Sequence, residues 1–152
     1  MAVAVVDLRK PPKHPPGEGM AELVGQQILK KTSSVHVYTE TGAPTTIPLF
    51  NVEADTFIVD VVLEIVTAYD GSSPAMTIGD ADPDRFMDAT IAAVGTVGFK
   101  SAKQDDSQPG AGGHLYAVAD TIDMVWTHGA TGASAGEAKV HIFYVPNWSK
   151  YP

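Results

Sequence analysis

The run TFIVDVVLEIVTAY, residues 56–69, alternates large apolar side chains with smaller or charged ones over most of its length. Apolar residues on one face of a helix recur every three or four positions, so a period of two specifies a strand with one buried face. Phe57, Val59, Val61, Leu63, Ile65 and Tyr69 are predicted to share the core side, with Asp60 and Glu64 marking the other as partly solvated. A strand this long requires partners and a second layer to cover it.

The same period recurs along the chain. SVHVYTETGAPTTIPLF reads as a strand, a Gly-Pro turn and a second strand. AMTIG follows the turn DGSSP, whose Asp-Gly predicts a hairpin. HLYAVADTIDMVWTHG places Tyr116, Val118, Ile122, Met124 and Trp126 on one parity. EAKVHIFYV places Ala138, Val140, Ile142 and Tyr144 opposite Lys139, His141 and Phe143. The small-residue loop HGATGASAGEA suits a hairpin between these last two strands. Unequal strands joined by Gly, Pro and Ser turns predict an all-β fold, a jelly-roll-like β-sandwich with one short helix.

The first part of the chain breaks this pattern. RKPPKHPPGEG, residues 9–19, holds four prolines and two glycines. Each proline fixes φ and removes a donor, which favours polyproline II and bars the segment from a sheet interior. The predicted organisation is an extended arm, residues 1–34, and a β-sandwich domain, residues 35–152. Within the arm, Leu23, Val24, Ile28 and Leu29 of AELVGQQILKK suit a helical face better than a strand.

A chain of 152 residues supports one core of ordinary size. It has no cysteine, which removes disulfides, thiolate nucleophiles and Cys-ligated metal sites. MAVAVVDLRK has neither a basic start before an apolar core nor the length of a secretory segment, so the chain is expected to be soluble and made in the cytoplasm. Without such a segment, the sequon NWS at 147–149 carries little weight. Residues 1–31 carry five basic and three acidic side chains, whereas residues 32–152 carry five and fifteen. The acidic body repels phosphate backbones, arguing against nucleic acid as a partner, and no membrane partner is expected. The mildly basic arm suits an acidic protein surface.

Three features invite a chemical reading. Asp80, Asp82 and Asp84 in GDADPDRFMD have the spacing of the first ligands of an EF-hand loop, but Arg85 stands at the glycine position and Ile91 where the bidentate Glu belongs. The alternative is a turn followed by a helix, with Asp82 as its N-cap, Pro83 at the first helical position, Asp84 in the first turn, and Met87, Ile91 and Val94 as the buried stripe. GASAG, residues 132–136, matches the nucleophile elbow, yet a strand follows Ser134 where that motif needs a helix. His14, His36, His114, His128 and His141 show no short metal-binding spacing, although a three-histidine site assembled from separate strands stays open. No cofactor and no catalytic residue is assigned. Trp126 is expected in the core, and Trp148 and Tyr151 as a cap on the core or a contact with a neighbouring chain.

The alternating block TFIVDVVLEIVTAYDGSSPAMTIGDADPDRFMD, the later block ADTIDMVWTHGATGASAGEAKVHIFYV and the proline-rich arm together resemble head decoration proteins of tailed bacteriophages. The resemblance spans roughly residues 56–145 and rests on the order and texture of the strands. It implies a non-enzymatic virion protein that binds the outside of the major capsid protein lattice as a homotrimer and stabilises it. Leu8, Arg9, Lys10, Pro11, Pro12, Lys13, Pro15 and Pro16 of the arm, with Trp148 and Tyr151, are the expected interface residues by composition. A tail or head–tail component is the neighbouring possibility. A carbohydrate-binding module, using exposed aromatics such as Tyr116 and Trp148, and a metal-dependent cupin-type enzyme are the others.

Overall fold

A computed structural model describes residues 28–37, 44–104, 107–127 and 134–150. These form nine strands: β1 (Leu29–Thr32), β2 (His36–Val37), β3 (Thr45–Val52), β4 (Thr56–Thr67), β5 (Ala75–Gly79), β6 (Gly98–Ser101), β7 (His114–Tyr116), β8 (Asp120–Thr127) and β9 (Glu137–Val145). One short helix, α1 (Ala89–Ala92), lies between β5 and β6. The larger sheet runs β1-β9-β4-β6, with β2 also on β9 and β7 also on β4; the smaller runs β3-β8-β5. Every pairing between these strands is antiparallel. The chain is an all-β sandwich, as the alternation implies.

One hydrophobic cluster joins the two sheets. β4 and β9 contribute Val61, Leu63, Ile65, Val140 and Ile142, while β5 and β8 supply Met76, Ile78, Ile122, Met124 and Trp126. Burying each such side chain is worth roughly 1.5–3 kcal/mol, so this contact dominates the stability of the fold. The predicted inward parity of Ile122, Met124 and Trp126 in β8 is what the structure displays.

In β4 the parity changes partway. Its register against β9 slips between Ile58 and Asp60, so Ile58 is buried ahead of the slip and Val61, Leu63 and Ile65 after it. The extra residue of a β-bulge exchanges the two faces of the strand downstream. Phe57 and Val59, expected in the core, are therefore only half-buried. Val118 is also corrected: at 76% exposed it lies between β7 and β8, which belong to different sheets.

The expected hairpins are crossovers. β4 and β5, joined through DGSSP, lie in opposite sheets, and so do β8 and β9. Turn residues specify how sharply the chain bends; the burial of both ends decides which sheet it enters. Leu29 to Lys31, the end of a segment whose apolar spacing suited a helical face better than a strand, belong instead to β1, because β9 pairs with it from Leu29↔Tyr144 to Thr32↔His141. Residues 1–27, including Leu8 to Pro16 of the expected interface, and Tyr151 lie outside the described residues.

Candidate functional site

The aspartate-rich loop leaves β5 at Gly79, where the chain folds back so tightly that a Cβ would stand 2.6 Å from the Pro83 carbonyl carbon. Asp80 and Arg85 N–H groups both donate to the Asp82 carbonyl, at 3.0 and 3.1 Å. Asp80 then turns its carboxylate inward. It accepts from Arg85 Nε at 2.6 Å, the Asp82 N–H at 2.9 Å and the Tyr116 hydroxyl at 2.9 Å. Burial pushes the Asp80 carboxyl up, but these donors and the Arg85 charge outweigh it and hold the group below its ordinary value. Burial and the Asp80 hydrogen bond in turn push the Tyr116 phenol up. Asp80, Arg85, His114 and Tyr116 line one side of a depression of about 210 Å³.

The helix cap falls on Asp88, not on Asp82. Asp88 Oδ1 accepts from the Thr90 and Ile91 N–H groups, each at 2.8 Å, and α1 starts at Ala89. Asp82 is spent earlier: its backbone carbonyl closes the turn that carries the buried Asp80–Arg85 pair, so the chain from Pro83 onward is not yet helical. The expected stripe largely persists, since Met87 and Val94 are buried and Ile91 packs against the core.

The histidines on strands are engaged within the sheets. His36 Nδ1 lies 2.7 Å from the Tyr69 hydroxyl. His141, 7% exposed, bridges three strands, with Nδ1 2.9 Å from Thr32 Oγ1 on β1 and Nε2 3.0 Å from Glu64 Oε2 on β4. Among the described residues, no group of three or more His, Asp or Glu side chains is placed to hold a metal ion. Ser134 of the GASAG match is tied to Asp70, whose carboxylate also accepts the Ala135 N–H at 2.9 Å. Those bonds, led by the Ser134 hydroxyl, hold the Asp70 carboxyl below its ordinary value.

Around His141 the outer face of the larger sheet is open. Phe99 pairs with Glu64 and Gly98 with Ile65, a register that sets Val97 beside Val66. Phe99 is 67% and Val97 60% exposed, so large apolar side chains stand in solvent here. Sequence reasoning missed it, because Val97 and Phe99 alternate over too short a stretch to say which face is covered. The C-terminal aromatic expectation divides: Trp148 is half-buried and stacks on Phe57 at 4.5 Å. Tyr116, an expected exposed aromatic of the carbohydrate-binding reading, is instead buried against Asp80.

Three solved structures share this arrangement of sheets. A chain of the Cyanophage Pam1 capsid asymmetric unit superposes with a TM-score of 0.55 at 16% identity, covering 95% of this chain and 99% of its own length. A chain of the capsid of Ralstonia phage GP4 gives 0.54 at 16% identity, covering 79% and 84%. A chain of the acidic stable capsid structure of Helicobacter pylori bacteriophage KHP30 gives 0.52 at 12% identity, covering 80% and 94%. The fold is one found among phage capsid chains. No protein-family model matches the sequence, and no curated protein matches it. The correspondence runs nearly end to end in the first case, so a whole chain of similar size shares the fold.

Proposed function

We propose that this chain is a structural component of a phage virion, seated as a homotrimer on the outer surface of the capsid and stabilising the major capsid protein lattice. The observation that carries this reading is the shared fold with chains of three phage capsids, nearly end to end in one and over about four fifths of this chain in the other two. Three other features support it. The open face around Val66, Val97 and Phe99 offers an apolar centre with polar groups around it, the composition of a docking surface. The acidic body disfavours the DNA side of a shell. The proline-rich composition around Leu8 to Pro16 suits contact along another surface, and a segment shared in that way would link neighbours without a large rigid interface. The role assigned to it is mechanical, with no turnover.

Cryo-electron microscopy of capsids of the parent phage, prepared without this protein and then incubated with it, tests the reading. Three-fold density on the outer surface, together with a higher temperature of DNA release, is the expected result. Density at the tail vertex, or no binding, overturns it.

A further inference from the structure

The outer face of the larger sheet is apolar at positions where a solvated face carries charge. Val62 and Val66 of β4, Phe143 of β9 and Phe99 of β6 stand on it, while the opposite face of β4 and β9 holds Val61, Leu63, Ile65, Val140 and Ile142 in the core. Strands with apolar side chains on both faces are those covered on both sides. The registers arrange this outer face in level rows. One row reads Lys139, Glu64, Phe99 across β9, β4 and β6; the next reads Thr32, His141, Val62, Ser101 from β1 to β6; the third reads Lys30, Phe143, Asp60 across β1, β9 and β4.

Lys139 lies directly across from Glu64, but Glu64 Oε2 turns to His141 Nε2 at 3.0 Å, and the Lys139 ammonium makes no ion pair among the described residues. Within these rows Lys30 and Lys139 balance Asp60 and Glu64, in a chain whose net charge is -8. Acidic chains repel one another over most of their surface, so a neutral apolar face is where two copies meet at least cost. The rows also complement themselves. Sheets stacked face to face lie about 10 Å apart, with strands within roughly 30° of each other. A two-fold axis along the strands, between β9 and β4, sets β4 of each copy on β9 of the other and keeps the rows level. Lys139 then faces Glu64 of the second copy while Glu64 faces its Lys139, and Thr32 and Ser101 meet in the same reciprocal way. Lys30, whose ammonium lies 5.8 Å from the Phe143 ring centre, comes beside Asp60 of the second copy, because that residue faces Phe143.

We propose that the outer face of the larger sheet binds a second copy of this chain across that two-fold axis, with Lys139 of each copy on Glu64 of the other. A two-fold contact pairs copies and cannot close a ring of three, so it goes beyond the trimer proposed above: among trimers it ties each one to a neighbour. The pairing depends on the strand registers and not on a capsid.

Charge exchange tests the contact in the full-length chain. Sedimentation velocity of the parent at rising concentration should show an association step that doubles the mass. In Lys139→Glu two acidic side chains meet at each crossing, and in Glu64→Lys two basic ones do. Each variant alone should weaken the step roughly tenfold or more, since like charges set against each other at an interface are costly. An equimolar mixture of the two should recover it, because every crossing then joins opposite charges, and only a reciprocal contact of Lys139 with Glu64 behaves in this way. Phe99→Ser, at an exposed position, should weaken the step with thermal unfolding unchanged, and it decides the matter if Glu64→Lys loses its fold along with the His141 contact. A parent that shows no doubling, variants that pair as well as the parent, or a mixture of folded variants that pairs no better than its components overturns the proposal.

Discussion

The Tyr116 hydroxyl on β7 donates to Asp80 Oδ2 at 2.9 Å, and this one bond ties the larger sheet to the loop leaving the smaller sheet. The acceptor is a carboxylate almost wholly out of water and already paired with Arg85. Hydrogen bonds to a charged group contribute about 1.5–3 kcal/mol. Tyr116→Phe should therefore lower stability by about 2 kcal/mol in urea unfolding. Asp80→Ala should cost about 3 kcal/mol or more, because it also strands Arg85. Equal, small losses in the two variants would show that the network is not a link between sheets.

The same carboxylate makes stability depend on pH in a definite direction. The Asp80 carboxyl is held below its ordinary value in the folded chain, so its contribution is fully present above the unfolded value, near pH 3.9, and is lost as pH falls through the folded one. Thermal unfolding of the parent chain should show a stability loss below about pH 4 that Asp80→Asn lacks in part. Parallel profiles for the two proteins would refute the assignment.

Capping separates two aspartates that look alike in sequence. Asp88→Ala should cost about 1 kcal/mol, the usual loss for an N-cap, measured by chemical denaturation. Asp82→Asn should leave stability unchanged or raise it slightly. Its side chain takes no part in the turn's backbone bonds, and burial together with the neighbouring Asp84 disfavours its charge, raising its pKa. A larger loss at Asp82 than at Asp88 would restore the cap to the earlier position.

Gly79 is predicted to be the least replaceable glycine of the loop. Gly79→Ala drives a Cβ into the backbone of Asp82, Pro83 and Arg85, atoms that move only with the whole turn. A loss of about 3 kcal/mol, or failure to fold, is expected by circular dichroism and denaturation. A fully stable Gly79→Ala variant would mean that the loop has a second, looser conformation.

Trp148 offers a test of fold against assembly. Its stacking on Phe57 should make Trp148→Ala cost about 1 kcal/mol of monomer stability from the ring pair, apart from any change in oligomeric state. Light scattering alongside thermal unfolding separates the two effects. Unchanged unfolding with weakened assembly would assign Trp148 to the interface alone.

Much of the architecture was legible from local pattern. Ile122, Met124 and Trp126 in β8 stand on the predicted face, because in a sheet covered on one side the period of two reports burial directly. Phe57 and Val59 escaped, since a bulge is decided by where β9 can pair and not by the residues of β4 alone. Residues 29–32 escaped for a related reason: LKKT has no strong period, and its conformation comes from a partner more than a hundred positions away. At the aspartates the types of role were readable and their allocation was not. A buried ion pair claimed Asp80, and the turn that supports it pushed the start of the helix downstream to Asp88.

β9 also bears on how the protein is made. It is the strand on which β1, β2 and β4 all pair, and it follows them in the chain. A nascent chain that has emerged only as far as Thr127 can assemble the smaller sheet, but the apolar face of β4 then lacks its long neighbour, and β1 and β2 have nothing to join. β6 and β7 can already pair with β4, but completion of the larger sheet waits for residues 137–145 to leave the ribosome. Until then β4 carries an unpaired edge along the side that β9 will occupy, the kind of edge at which incomplete chains join one another.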